Sequence, residues 1–219
     1  MKLTERLYAA VEEIWASYLE HPFVRGLADG TLAQEKFRFY MVQDYCYLLE
    51  YAKVFALGVV KARDEKTMTL FANLVQSTLT EEMSLHRAYL SQIGVTERDL
   101  AQAKMSLANR SYTAYMLDVS QRGDAADILA AVLACAWSYL VIGAHHAKVP
   151  GAVEHPVFGP WVASYASEEY RQSVEVLLDM IDAMGETMTE QKKEEMTEIF
   201  YNCSRYEYDF WEMAEKMEL

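Results

Sequence analysis

The chain has 219 residues, 52% of them apolar, with nine glycines and four prolines. That suits one large domain with long, uninterrupted helices rather than two small domains. The net charge of -13 excludes a nucleic-acid surface, which needs clustered Lys and Arg, and no run of like charge is long enough to form a tail.

In chain order, residues 3–20 read as an amphipathic helix that stops at His21-Pro22. The first residues, MKLTERLYAAVEEIW, are charged from the start and have no apolar core segment, so no signal peptide is expected. A short irregular piece runs to Asp29-Gly30. Thr31 with Gln34 then spells a capping box for a long helix to about Ala62. Arg63-Asp64-Glu65 is a polar turn, residues 66–92 form a further helix closed by Gly94, and 106–122 form another before Gly123.

The stretch 124–148, DAADILAAVLACAWSYLVIGAHHAK, organises the rest. Asp124 is placed to cap it, and Asp127 completes something close to a capping box. From Ile128 to Ala144 no residue is charged, and apolar residues lie on every side. Such a helix sits either in lipid or in the middle of a protein. At 17 residues it falls just under the spanning length and has no flanking Lys/Arg asymmetry, so a core helix is expected and no membrane partner.

Val149-Pro150-Gly151 ends that helix, and Pro156 and Pro160 bracket a loop. Helices over 161–166, 167–184 and 189–217 complete the chain. No stretch alternates β-branched residues between turn signals, so no strand is expected. The expected architecture is one all-α domain, residues 1–219, of about eight helices around the apolar one.

Carboxylates occupy positions where leucine would be expected. The helix 31–62 carries a seam of Phe37, Met41, Asp44, Leu48, Tyr51, Phe55 and Gly58. The last helix repeats it with Met196, Phe200, Cys203, Glu207, Phe210, Ala214 and Met217. The helix 66–92 does so with Phe71, Val75, Thr78, Glu82, Leu85 and Tyr89. An unpaired buried carboxylate costs several kcal/mol, so each needs a partner, a proton, a metal or a task. One such acid is explained by a structural network; three in three seams point to a polar pocket inside the helices.

Phenols crowd the same faces. Tyr47 and Tyr51 follow Asp44 by one and two turns, Tyr112 and Tyr115 lie on the helix 106–122, and Tyr206 and Tyr208 flank Glu207. Most of the fifteen tyrosines pack the core with their hydroxyls at its rim. The remainder suit a flat slot for a planar, hydrogen-bonding ring. Tyr139 follows Cys135 by one turn, about 6 Å along the axis. A buried cysteine alone is most often a small hydrophobe, and Cys46 and Cys203 read that way. Cys135 differs in having a phenol and acids at hand for proton transfer, as a reactive thiol requires. The odd cysteine count and the lack of a CxxC fit a reducing compartment, here the cytoplasm. Neither a Ser-His-Asp order nor a GxSxG, P-loop or GxGxxG motif is present.

These residues resemble the TenA family of thiaminase II, the aminopyrimidine aminohydrolases, in its cysteine-type branch. The likeness runs from HPFVRGLADGTL through FYMVQDYCYLLEYAKVFA, LTEEMSLHRAYL, SYTAYML, ACAWSYLVIG and HPVFGPWVASYAS to CSRYEYDFWEMA. It implies a haem-oxygenase-like all-α fold and a role in thiamine salvage. The implied reaction is hydrolytic deamination of 4-amino-5-aminomethyl-2-methylpyrimidine, with thiamine cleavage beside it. It implies Cys135 as the nucleophile that adds to the ring and Glu207 as the acid/base. Asp44 would bind the ring nitrogen and exocyclic amine, and Tyr47, Tyr112, Tyr139 and Tyr165 would line the slot. It further implies a homotetramer that uses neither cofactor nor metal. Two other classes compete. One is a di-iron oxidase on the same scaffold, with His86 and the seam carboxylates as ligands, although Glu82–His86 lacks the Glu-x-x-His spacing and has no second copy. The other is a non-catalytic pyrimidine-binding protein.

Overall fold

The structure, a computed structural model, describes residues 1–219 apart from the side chain of Leu85. Among the described residues it contains eleven α-helices, one π-helical turn and no strand. The helices are α1 (Leu3–Glu20), α2 (Pro22–Asp29), α3 (Gln34–Lys61), α4 (Glu65–Ser77), α5 (Met83–Gln92), α6 (Glu97–Ala101) and α7 (Leu107–Arg122), followed by α8 (Ala125–His146), α9 (Gly159–Tyr165), α10 (Glu168–Gly185) and α11 (Glu190–Lys216). The π turn, Thr78–Glu82, joins α4 to α5. Internal contacts divide the chain into two compact units. One comprises Met1–Ala33 and Leu129–Glu212, the other Gln34–Ile128 and Met213–Leu219.

In the first unit, α1 buries Leu3, Leu7, Val11, Trp15 and Tyr18 at helical spacing and packs on α2 and α10. Asp182 of α10 accepts from both the backbone N–H (2.9 Å) and the hydroxyl (3.0 Å) of Thr4, fixing where α1 begins. Residues 22–29, expected to be irregular, form a helix with a physical cause at each end. Pro22 takes a first-turn position that needs no N–H, and the His21 ring Nδ1 accepts from the Phe23 N–H at 3.2 Å. Gly30, at φ 76°, closes it in the left-handed region that favours glycine. Trp15, Trp137 and Phe200 meet with ring centroids 5.2–6.0 Å apart. Of these, Trp15 and Phe200 are buried, and each contributes roughly 1.5–3 kcal/mol by leaving water.

In the second unit, α3 packs against α4, α5 and α7, and every position of its expected seam from Phe37 to Gly58 is buried. Gly58 is required there, since a Cβ would lie 2.4 Å from the Phe71 ring. Gln43, buried on α3, is satisfied from the segment leading into α7. It accepts from the Ser106 N–H at 2.9 Å and donates to the Lys104 carbonyl at 2.9 Å. The Asn109 amide adds a bond to the Gln43 carbonyl at 2.8 Å. Thr31 does not cap α3. Its N–H and hydroxyl both turn back to Asp29, so the helix starts at Gln34, two residues later than the motif suggests.

The expected cap of α8 is present. Asp124 accepts from the N–H groups of Ala126 (3.0 Å) and Asp127 (3.2 Å), while Asp127 accepts from the Asp124 N–H at 2.9 Å. From Ile128 to Ala134 the helix is fully buried within the protein. By length and composition alone it is the one helix, among the described residues, long and apolar enough to cross a membrane.

Candidate active site

The residues expected to act together fall into two sets, one in each unit. Cys135 and Tyr139 on α8, Tyr165 at the end of α9 and Glu207 on α11 belong to the first unit; Asp44 and Tyr47 on α3 and Tyr112 on α7 belong to the second.

In the first unit the focus is a residue the sequence did not single out, Tyr18 of α1. Its hydroxyl donates to the carbonyl of Ser204 on α11, and the neighbouring Trp15 Nε1–H donates to the Ser204 hydroxyl at 3.1 Å. Burial pushes the Tyr18 phenol well above the usual range, and the charges of Glu207, Cys135 and Cys203 push it further the same way. Cys135 and Glu207 therefore lie within electrostatic reach of one phenol, the first from α8 and the second one turn beyond Ser204. Cys203 is fully buried, and its thiol is also held well above the usual range by burial and by Glu207. An inert structural thiol is the result.

Beside this cluster lies an aromatic wall. The Tyr139 ring stands 4.7 Å from Tyr165, 5.3 Å from Trp211 and 5.9 Å from Trp161. Tyr165 lies in turn 4.8 Å from Trp161 and 5.0 Å from Tyr170. Gly143, one turn after Tyr139, lets α9 come this close, because a Cβ there would sit 2.5 Å from the Tyr165 carbonyl carbon. The Tyr170 hydroxyl donates to the carbonyl of Ala136, next to Cys135, at 3.0 Å.

In the second unit Asp44 is buried, with 6% of its surface exposed, and burial pushes its carboxyl up to about 7. Three residues on, Tyr47 stacks on Tyr51 at 5.1 Å and meets Tyr112 at 5.4 Å. The Tyr47 hydroxyl points to Met116 Sδ at 3.9 Å. The third seam acid, Glu82, is only partly buried. The expected α4 seam carries Thr78 inward, but the π turn then moves Met83 and Leu90 into the buried positions. Leu85, counted into that seam, lies outside the described side chains. At the far end of α11, Met217 leaves its seam as well; it is exposed and stands at φ 54° just past the helix.

His86, the nitrogen ligand a metal centre would draw on, donates its Nε2–H to the Met41 carbonyl at 3.0 Å. Among the described residues, no three His, Cys, Asp or Glu side chains gather in a way that would hold a metal ion.

Comparison with known proteins bears on both sets of residues. A model of the TENA/THI-4/PQQC family matches residues 8–217. Aminopyrimidine aminohydrolase from Helicobacter pylori is 45% identical over 214 residues, covering 98% of this chain and 99% of that one. Among solved structures, the TenA homologue from P. horikoshii OT3 is 30% identical and superposes with a TM-score of 0.91, covering 99% of each chain. Haem oxygenase-1 from the cyanobacterium Synechocystis superposes with a TM-score of 0.68 at 12% identity, covering 97% of this chain and 91% of that one. With so little sequence in common, that likeness is one of fold alone, and the fold is the haem-oxygenase-like all-α one.

Proposed function

The chain belongs to the TENA/THI-4/PQQC family, and we propose that it is an aminopyrimidine aminohydrolase of thiamine salvage, a thiaminase II. The observation that carries this reading is the 45% identity to the Helicobacter pylori aminohydrolase over essentially both full lengths. It is supported by the pairing of a thiol and an acid around Tyr18, the donor set that displacement of an amine from a ring-attached methylene requires.

The substrate is 4-amino-5-aminomethyl-2-methylpyrimidine. Cys135 adds through sulfur to a ring carbon, its proton passing to a ring nitrogen, and the ring loses its aromaticity. The electron pair thus gained expels the aminomethyl nitrogen, which Glu207 protonates so that it leaves as ammonia. The Glu207 carboxylate then takes a proton from water, and the hydroxide adds to the exocyclic methylene. Loss of the Cys135 sulfur, and of the proton from the ring nitrogen, restores the aromatic hydroxymethylpyrimidine. A positioned acid/base of this kind contributes about 10²–10⁴-fold. Asp44 binds the ring nitrogen and the exocyclic amine, and Tyr47, Tyr112, Tyr139 and Tyr165 enclose the ring. In thiamine the same step expels the thiazole nitrogen instead. A cytoplasmic homotetramer, requiring neither cofactor nor metal, completes the proposal; the odd cysteine count suits a reducing compartment.

The test is ammonia release from the aminomethylpyrimidine by wild type and Cys135→Ser. The variant is expected to lose turnover by at least about a hundredfold, since an aligned nucleophile cannot be replaced by a poorly ionised hydroxyl, while still binding the ring. Retention of most activity by Cys135→Ser would remove the thiol from the mechanism. No turnover of this substrate or of thiamine by wild type would leave a pyrimidine-binding protein.

A further inference from the structure

The reaction leaves Glu82 and His86 of the second unit without a task, and His86 is turned towards Asp44. Continuing α4 as an α-helix would put position 82 inward after Phe71 and Thr78. The π turn Thr78–Glu82 adds a residue, so that Met83 takes the buried place, 1% exposed, and Glu82 swings to its side. There the Thr78 hydroxyl donates to the Glu82 carboxylate, and the charge of Asp44 acts on it. Single π turns of this kind concentrate at functional sites.

His86, one turn further on α5, gives its Nε2–H to the Met41 carbonyl at 3.0 Å, which fixes the proton on that nitrogen. The same Nε2 stands 3.6 Å from Asp44 Oδ2. Met41 is one helical turn before Asp44, so a single ring ties α5 to the turn of α3 that presents the carboxylate.

We propose that His86 is the positioning residue of Asp44: by holding the Met41 carbonyl it fixes the helical turn that carries the carboxylate. The inference rests on Asp44 being the carboxylate that binds the aminopyrimidine. Burial pushes the Asp44 carboxyl up to about 7; Glu82 reaches about 7 as well, through burial and then the charge of Asp44, with His86 and Thr78 opposing. Burial lowers the His86 imidazole, against the pull of Met41 and Glu82, so the ring stays neutral as a donor. The thiol of Cys46, next but one along α3, is raised by burial first and then by the charges of Asp44 and Glu50.

The test compares the steady-state kinetics of wild type, His86→Gln and His86→Ala on the aminomethylpyrimidine. His86→Gln, which keeps an N–H for Met41, should hold the KM for the aminomethylpyrimidine, whereas His86→Ala raises it several-fold; equal KM values in the two variants overturn the positioning role of His86. The substrate assignment fails separately if Asp44→Asn binds 4-amino-5-hydroxymethyl-2-methylpyrimidine as tightly as wild type.

Discussion

Replacing Gly143 with Ala tests whether close approach of α9 to α8 shapes the aromatic wall. In an open helical position the change would stabilise the protein by up to about 1 kcal/mol, because glycine is the costlier residue in a helix. Here the added Cβ would meet the Tyr165 carbonyl carbon at 2.5 Å, its oxygen at 2.7 Å and its Cβ at 2.8 Å. Comfortable carbon contacts begin near 3.5 Å, so α9 must retreat by about 1 Å. Two of the three atoms are backbone and cannot rotate aside, which places the overpacking cost in the upper part of the usual range of about 1–3 kcal/mol. The net expectation is a loss of about 1–2 kcal/mol, or about 3–6 °C in Tm for a chain of this size. Tyr165 moves with α9 and opens its 4.7 Å approach to Tyr139, so KM for the aminopyrimidine rises as well. Thermal unfolding and steady-state kinetics read both effects. A Gly143→Ala protein that melts at or above the wild-type temperature would show the reasoning to be wrong.

The other predictions concern Tyr18 and pH. Tyr18→Phe removes the donor to the Ser204 carbonyl and should cost about 0.5–1.5 kcal/mol in denaturant titrations; because that bond lies one turn from Glu207, kcat should fall more than KM changes, and an unaltered kcat would show that Tyr18 only packs. Asp44 and Glu82, with carboxyls pushed from 3.8 and 4.5 up to about 7, bind protons more tightly folded than unfolded. The folded chain then holds more protons than the unfolded one between about pH 4 and pH 7, and stability falls as pH rises through that window. For Asp44 a gap of about 3 pH units at about 1.36 kcal/mol each bounds the loss at about 4 kcal/mol. Asp44→Asn should flatten the decline in unfolding free energy from pH 5 to pH 8; a decline as steep as in wild type would refute the assignment.

The features legible in the sequence were those that a single helix can state. The α3 seam reads off as buried from Phe37 to Gly58 because side-chain spacing alone decides it, and Asp44 stands out as the acid within it. The α11 seam reads as well up to Ala214, with Glu207 buried. The reciprocal cap of α8 is a local pattern of two aspartates and needs no tertiary knowledge. What stayed hidden depended on neighbours or on helix phase. Tyr18 is one apolar position among five on α1, and its bond to Ser204 joins residues 186 apart, which no spacing rule reaches. The stretch 22–29 reads as irregular because proline and glycine signal breaks in a sequence, whereas here they serve as a first turn and a stop. The seam over 66–92 assumes an unbroken 3.6-residue period, and the π turn at Thr78–Glu82 breaks that period in the middle. Similarly, α6 is five residues long and held mainly by the Thr96–Asp99 cap, too short to show any periodicity.

That extra residue between α4 and α5 makes the facing of this corner a matter of chain length as much as of composition. Because the π turn carries one residue more than an α-helix would, deleting any one position from 79 to 81 would let an ordinary helix run straight through with the facing downstream unchanged. The methionine now lodged inside would keep its site, and the imidazole its aim at the Met41 carbonyl. Drawn into a regular helix at full length, the same stretch would instead swing both away by about 100°. Upstream, the Asp64 cap and the Gly58–Phe71 contact would feel nothing. Descendants of such a chain can therefore shed the turn through one deletion, without disturbing the scaffold that precedes it or the groups that follow.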